Sequence, residues 1–105
     1  MEIDHYLKPD GHDVVQSWLD GLNDMRARVA VLRRIDRLNA GNFGDCKFCR
    51  GGVWELRVDI GDGYRVYCAQ VGRTLLLLLC GGDKRTQSAD VGRAAAYLKD
   101  WEGRM

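Results

Sequence analysis

The sequence predicts an α+β domain in which two helices precede an antiparallel sheet and one helix follows it. Two patterns predict this class: apolar residues recur at helical spacing near both ends of the chain, and they alternate with polar residues along its middle. A hairpin turn signal, Gly61-Asp62-Gly63, separates two of the alternating runs. The chain has 105 residues, which is room for one hydrophobic core, so we assign residues 1–105 to a single domain.

The first third of the chain predicts a short strand and a helical hairpin. Ile3 to Tyr6 fits a strand, and Pro9-Asp10-Gly11 interrupts it. A first helix is expected from about Asp13, and a second from Asp24 to Leu38. The stripe expected to face the core in the second helix consists of Met25, Val29, Leu32, Ile35 and Leu38. The arginines of this helix are expected on its other side, where a solvated surface is favoured over a site for RNA phosphates or an acidic partner.

The rest of the chain predicts a loop, three strands and a helix. Residues 39–52 are rich in glycine and read as loop. In Val53–Asp59 one face carries Trp54, Leu56 and Val58, and the opposite face carries Glu55, Arg57 and Asp59. Tyr64–Gln70 is its hairpin partner, and Leu75–Cys80, apolar on both faces, is expected to be the most covered strand. Thr86 or Ser88 is expected to cap a final helix, and all three tryptophans (Trp18, Trp54 and Trp101) are assigned to the core.

Composition excludes several classes of protein. The net charge of +1 gives no overall basic signal, so a nucleic-acid site would need local sorting of charge. The longest apolar run, Leu75 to Leu79 before Cys80, is too short to span a membrane, and the first residues do not resemble a signal peptide. We therefore expect a cytoplasmic protein without a membrane partner.

The four cysteines leave two interpretations open. Cys46 and Cys49 form one CxxC, and Cys68 and Cys80 lie within strand-like runs. Because no second pair occurs at ligand spacing, reduced thiols are favoured over a zinc site. We predict no metal site and no cofactor.

The candidate chemistry lies on the polar face of the predicted hairpin. Arg57 and Arg65 lie on paired strands and can share a face, with Glu55 two residues before Arg57. Lys84 and Arg85 follow the third strand. Such cations can bind a phosphodiester and stabilise the charge that develops when its phosphorus is attacked, and in RNA the 2′-hydroxyl is the nucleophile. The alternative is a set of surface salt bridges, which the pattern alone favours.

Two further residues are candidates for substrate binding. Arg85 is one of them, because it follows Lys84 in the loop after the third strand. Tyr67 is the other, because it shares the face of Arg65, and sheet packing is the alternative for its ring.

A series of short segments, each weak alone, is specific in its order and spacing. The segments are Trp18 to Leu22, Arg26 to Leu38, Gly41 to Asp45, Trp54 to Arg57, Gly63 to Tyr67 and Leu78 to Lys84, followed by Gln87 and Asp90. Through them the chain resembles the RelE/ParE superfamily of type II toxins, in particular the HigB-like addiction module killer proteins, a group related to phage-derived proteins. The resemblance covers nearly the whole chain.

The resemblance implies a RelE-like fold, a helical hairpin on a twisted antiparallel sheet, and a toxin that cleaves mRNA on the ribosome without a metal ion. It implies a partner antitoxin with a helix-turn-helix domain. By position, Arg65 is expected to contact the scissile phosphate, and Arg57 and Lys84 to stabilise developing charge. Glu55 matches an acidic position and is a weaker candidate for proton transfer. Many relatives use a tyrosine or histidine near the C-terminus as acid or base; this chain has Val91 there, so the proton-transfer residue is unassigned.

Two other functions stay open. Sister members of the superfamily poison DNA gyrase by binding, without nuclease chemistry. A chain that has lost its toxicity would only bind an antitoxin and tune the antitoxin's binding to DNA.

Overall fold

Residues 2–104, the part of the chain that the structure describes, form a five-stranded sheet and three helices. The structure is a computed structural model. Its strands are β1 (Glu2–His5), β2 (Cys46–Phe48), β3 (Trp54–Val58), β4 (Tyr64–Val71) and β5 (Leu75–Asp83). Its helices are α1 (Val14–Asp20), α2 (Met25–Asn39) and α3 (Gln87–Gly103), and a single 3-10 turn, Lys84–Thr86, joins β5 to α3. The predicted α+β class is confirmed.

The strand order is β1-β5-β4-β3-β2. Strands β2 to β5 form an antiparallel meander, and β1 adds to the outside of β5 in parallel. Strand β2 lies within residues 39–52, which the sequence analysis assigned to a loop, so that assignment is wrong for Cys46–Phe48. A strand of three residues among glycines has no alternation to reveal it, and it is stabilised by its pairing with β3.

Each face of the sheet has its own hydrophobic core. On one face, α1 and α2 contribute Val15, Leu19, Val31 and Leu38, which pack with Leu56, Val66 and Leu78 of the strands. On the other face, Ala94 and Leu98 of α3 pack with Tyr6, Tyr67, Leu77 and Leu79. Strand β5 contributes to both cores and is buried from Leu76 to Gly82, as its apolar sequence predicts.

Helix α2 presents a different stripe to the core from the one predicted. Its buried positions are Ala27, Val31, Arg34 and Leu38. Met25, Val29 and Leu32 are exposed, so the prediction is wrong for these three residues. Both stripes have helical spacing, and the one that turns inward contains Arg34, whose guanidinium donates to backbone carbonyls of the loop before β2.

Trp54 is also misplaced by the sequence analysis. It is 38% exposed, and its ring lies edge-on to that of Phe48, with 5.2 Å between centroids. The reason is its position at the start of β3 beside the edge strand. Trp18 and Trp101 are half-buried and pack against the two cores as expected.

The N-terminal ends of α2 and α3 are capped differently. Asp24 caps α2 by accepting from the backbone N–H groups of Arg26 and Ala27. Thr86 precedes α3, as predicted, but its side chain makes no cap bond and donates to Asp90 instead. Within the described residues no helix is both long and apolar enough to cross a bilayer.

Candidate functional site

The hairpin of β3 and β4 places two arginines side by side. Arg57 pairs directly with Arg65 across the two strands, and Glu55 pairs with Tyr67 two residue pairs further along. Directly opposed residues of an antiparallel pair project from the same face, so all four lie on the face that α3 covers in part. The predicted sharing of a face by Arg57 and Arg65 is therefore what the structure shows.

Glu55 compensates the repulsion between these two like charges. Its Oε1 accepts a hydrogen bond from Arg57 Nε at 3.0 Å and lies 3.3 Å from Arg65 Nε. Its Oε2 accepts from Gln87 Nε2 at 2.7 Å. The side chain is completely buried. Burial acts to raise the pKa of Glu55, but the hydrogen bonds from Arg57 and Gln87 and the charge of Arg65 outweigh it, so the pKa is lowered.

The two arginines keep part of their binding capacity. The Arg57 side chain is 41% exposed, and its hydrogen bond to Glu55 raises its pKa. Arg65 is more buried, and although its Nε lies near Glu55, the N–H makes no aligned hydrogen bond with any described residue. A guanidinium presents five donors. The terminal nitrogens of the partly exposed Arg57 make no hydrogen bond within residues 2–104 and could donate to an anion that enters from solvent.

Lys84 joins the cluster and Arg85 does not. Lys84 lines an open depression together with Arg57, Arg65 and Tyr64. The exposed Arg85 instead donates from Nη2 to the Asp83 carboxylate at 3.0 Å, and this hydrogen bond lowers the pKa of Asp83. Arg85 is thus paired with an acidic residue of its own turn and does not line the depression, and its role in substrate binding stays a prediction.

The depression also contains acidic side chains. Asp45, Asp59 and Asp62 line it beside the three cations. A phosphate placed here would lie against Arg57 and Arg65 at the sheet and would meet these carboxylates at the rim. On this side the carboxylates would disfavour an extended anion more than a single phosphate held close to the strands.

Tyr67 is a packing residue in the structure. It is fully buried, and its hydroxyl has no hydrogen-bond partner among the described residues. Burial raises its pKa, and the charges of Glu55 and Asp90 add to the effect. A base cannot stack on a ring that is enclosed in the core, which favours the sheet-packing alternative of the sequence analysis.

Gln87 is the site residue to which the sequence analysis gave no role. It is the first residue of α3, and the 3-10 turn before it brings its amide onto Glu55. The turn is fixed by Asp83, whose carboxylate accepts from the Arg85 backbone N–H at 2.8 Å. In the sequence, Gln87 stands out only through the family resemblance and its place just after a basic loop, and neither signal indicates its contact with Glu55.

The two cysteines of the CxxC segment lie in different depressions, on different sides of the sheet. Cys46 lines an apolar cavity on the side of α1 and α2, whereas Cys49 lines a depression beside α3. Both are free thiols, and burial followed by the charge of Glu55 raises the pKa of Cys49. Within residues 2–104 no three His, Cys, Asp or Glu side chains are placed together to hold a metal ion.

The geometry defines a small α+β protein that carries two arginines and a lysine around a buried carboxylate on an antiparallel sheet. Residues 17–98 match the family described as phage-derived protein Gp49-like (DUF891), and the chain belongs to this family. An uncharacterized protein of Haemophilus influenzae is 50% identical over 84 residues, which cover 80% of this chain and 85% of that protein.

Proposed function

We propose that this protein is the toxin of a type II toxin–antitoxin system and acts as an endoribonuclease on translated mRNA. Gp49-like phage-derived proteins are often such toxins. The observation that carries the nuclease proposal is the direct pairing of Arg57 with Arg65 over one buried carboxylate, with Lys84 in the same depression. This arrangement brings three cationic side chains together where a phosphate can reach them.

In the proposed reaction the 2′-oxygen of the RNA attacks the adjacent phosphorus. A bond from this oxygen to phosphorus forms, the bond from phosphorus to the 5′-oxygen breaks, and the products are a 2′,3′-cyclic phosphate and a 5′-hydroxyl. The proton of the 2′-hydroxyl is lost, and one proton is delivered to the leaving oxygen. Arg65 contacts the phosphate, while Arg57 and Lys84 stabilise the additional negative charge of the transition state.

Glu55 serves in this proposal as a positioning residue. A general acid must hold a proton near neutral pH and reach its substrate. Glu55 is fully buried and its pKa is lowered, so it meets neither condition. Its contribution is to hold two guanidinium groups on adjacent strands. The group that transfers the proton is unassigned.

The test is cleavage of mRNA on active ribosomes by the purified protein. Wild type is expected to give site-specific cuts that persist in EDTA, and Arg65→Ala is expected to lower the rate by about 100-fold or more. Arg73→Ala, which removes an exposed arginine from the turn between β4 and β5, is the matched control and is expected to cut as wild type does. An mRNA with a 2′-deoxynucleotide at the cut site is expected to resist cleavage.

Intact mRNA in the wild-type reaction would contradict the nuclease proposal. Arrest of DNA replication before translation on induction would then favour a gyrase poison, and unaffected growth would favour a non-toxic antitoxin-binding module. We further propose a helix-turn-helix antitoxin as partner, for which co-purification with the product of the neighbouring gene is the test.

A further inference from the structure

A second depression lies on the same face of the sheet, on the other side of Glu55. It is lined by Lys47, Cys49, Arg50, Gln87, Ser88 and Val91. Lys47 of β2 pairs directly with Glu55 of β3, so its side chain projects from the face that carries Arg57 and Arg65. Gln87 lies between the two depressions, because it lines this one and donates to Glu55. The two depressions are therefore neighbours across the Glu55–Gln87 hydrogen bond.

The second depression is lined by cations without carboxylates. Lys47 and Arg50 are exposed, and neither forms an ion pair with any carboxylate of residues 2–104. Arg50 lies against α3 at Gly92, where a Cβ would come within 3.3 Å of its Nη2. The helix thus leaves space for the guanidinium. Two unpaired cations at one wall are suited to successive phosphates of a polynucleotide.

We propose that Lys47 and Arg50 bind the phosphates that adjoin the cleaved one, so that single-stranded RNA runs from Arg65 over Gln87 to the β2–β3 edge. This assignment rests on the proposed function and specifies the path of its substrate. Phosphates on this path meet cations and neutral polar groups, since the Glu55 carboxylate is buried beneath Gln87 and the arginines.

The other two depressions that adjoin Arg57 are less favourable to a polyanion. The depression at Lys84 is also lined by Asp45, Asp59 and Asp62. A further depression between α2 and β3 contains Arg33 and Arg37 but also Asp45 and Asp59. Carboxylates at these positions repel successive phosphates, whereas Lys47 and Arg50 have no such neighbours in their depression.

The test measures how salt affects binding of a single-stranded 2′-O-methyl RNA 12-mer, which lacks the nucleophile and stays intact. Each phosphate neutralised on a single strand contributes about 0.7 to the slope of log affinity against log salt. Lys47→Ala/Arg50→Ala is therefore expected to make the slope less steep by about 1.4. The ratio of wild-type to variant affinity is then expected to fall about sevenfold between roughly 50 and 200 mM salt.

The matched control is Arg73→Ala/Lys99→Ala, which removes one exposed arginine and one exposed lysine outside all of these depressions. It is expected to keep the wild-type slope. Lys47→Arg/Arg50→Lys is expected to restore the slope, because charge rather than shape is needed. In cleavage assays the alanine pair is expected to raise KM and leave kcat within about twofold of wild type.

A wild-type slope for Lys47→Ala/Arg50→Ala would overturn the proposed path. If Arg65→Ala still abolished cleavage in the same preparation, the proposed function would survive that result. If the wild-type protein neither bound nor cut RNA, both proposals would fall together. Should the alanine pair unfold, Lys47→Gln/Arg50→Gln keeps side-chain length without charge, and the same loss of slope is expected for it.

Discussion

Arg34 and Glu55 are both buried charges, and they are stabilised in different ways. Arg34 lies beneath the loop before β2 and donates to the carbonyl oxygens of Phe43, Asp45 and Arg57. Its partners are neutral, fixed backbone groups, and a Cβ at position 44 would come within 3.2 Å of the guanidinium, so the glycine leaves room for it. Burial and the charge of Arg37 lower the pKa of Arg34. Its guanidinium therefore serves to hold backbone groups of the protein in place.

Glu55, by contrast, is stabilised by charged side chains that reach solvent. Arg57 and Arg65 turn one or more donors toward Glu55 and keep others for an anion. The two regions lie on opposite sides of the same sheet. The difference in partners distinguishes Arg34, a charge with a structural role, from Glu55, a charge that organises a candidate binding site. A buried charge with backbone partners is expected to affect stability, and one with cationic partners is expected to affect both stability and function.

The largest expected effect is that of Arg34→Leu. The substitution keeps the apolar contacts of the side chain but leaves the carbonyls of Phe43, Asp45 and Arg57 without their donor. We expect a loss of about 3–4 kcal/mol in the free energy of unfolding. Urea denaturation followed by circular dichroism would measure it. Arg33→Ala, at the exposed neighbouring position, is the control and is expected to stay within about 0.5 kcal/mol of wild type.

Glu55→Gln is expected to have the next largest effect. The amide keeps the shape of the carboxylate but leaves Arg57 and Arg65 opposed without a countercharge. We expect a loss of about 1.5–3 kcal/mol in stability and a fall in RNA cleavage at temperatures where the variant is still folded. Glu2→Gln, at an exposed site on β1, serves as a control for loss of one negative charge. Unchanged cleavage in folded Glu55→Gln would contradict the positioning role.

The contrast between Arg34 and Glu55 also shows how far the sequence predicts this molecule. Alternation along β3 and β4 and the glycine turn between them are local, so the pairing of Arg57 with Arg65 could be predicted. The burial of Glu55 could not, since it depends on Gln87 arriving from α3, 32 residues away.

Other features of the fold that the sequence does not predict also depend on contacts outside the element concerned. The parallel addition of β1 to β5 depends on a partner that is distant in sequence. Strand β2 pairs with β3, which follows it closely, but its three residues are too few to show alternation. The rotation of α2 depends on carbonyls of a loop that needs the donors of Arg34. For β1 and α2, contacts outside the element decide between local patterns that are nearly equivalent.

A smaller effect is expected in the pH dependence of stability. Because the pKa of Glu55 is lowered in the folded protein, its ionised form stabilises the fold above the unfolded pKa of about 4.3, and this contribution is lost as pH falls through the folded pKa. Wild type is therefore expected to lose stability more steeply below about pH 4 than Glu55→Gln. Unfolding midpoints at a series of acidic pH values would measure the two slopes. Parallel curves for the two proteins would contradict this account of Glu55.

The smallest expected effect comes from Tyr67→Phe, which removes one oxygen beside Glu55. The Tyr67 hydroxyl is buried without a hydrogen-bond partner among the described residues, so its loss removes a desolvated polar group and breaks no bond. We expect stability to stay equal or to rise by up to about 1 kcal/mol, with RNA cleavage unchanged. Thermal unfolding and the ribosome cleavage assay would measure both quantities. Tyr6→Phe is the contrasting control, because the Tyr6 hydroxyl donates to Asp100 at 2.7 Å and its removal is expected to destabilise the fold. A large loss of cleavage in Tyr67→Phe would place this hydroxyl in the reaction and would extend the functional region from the arginines into the core beneath them.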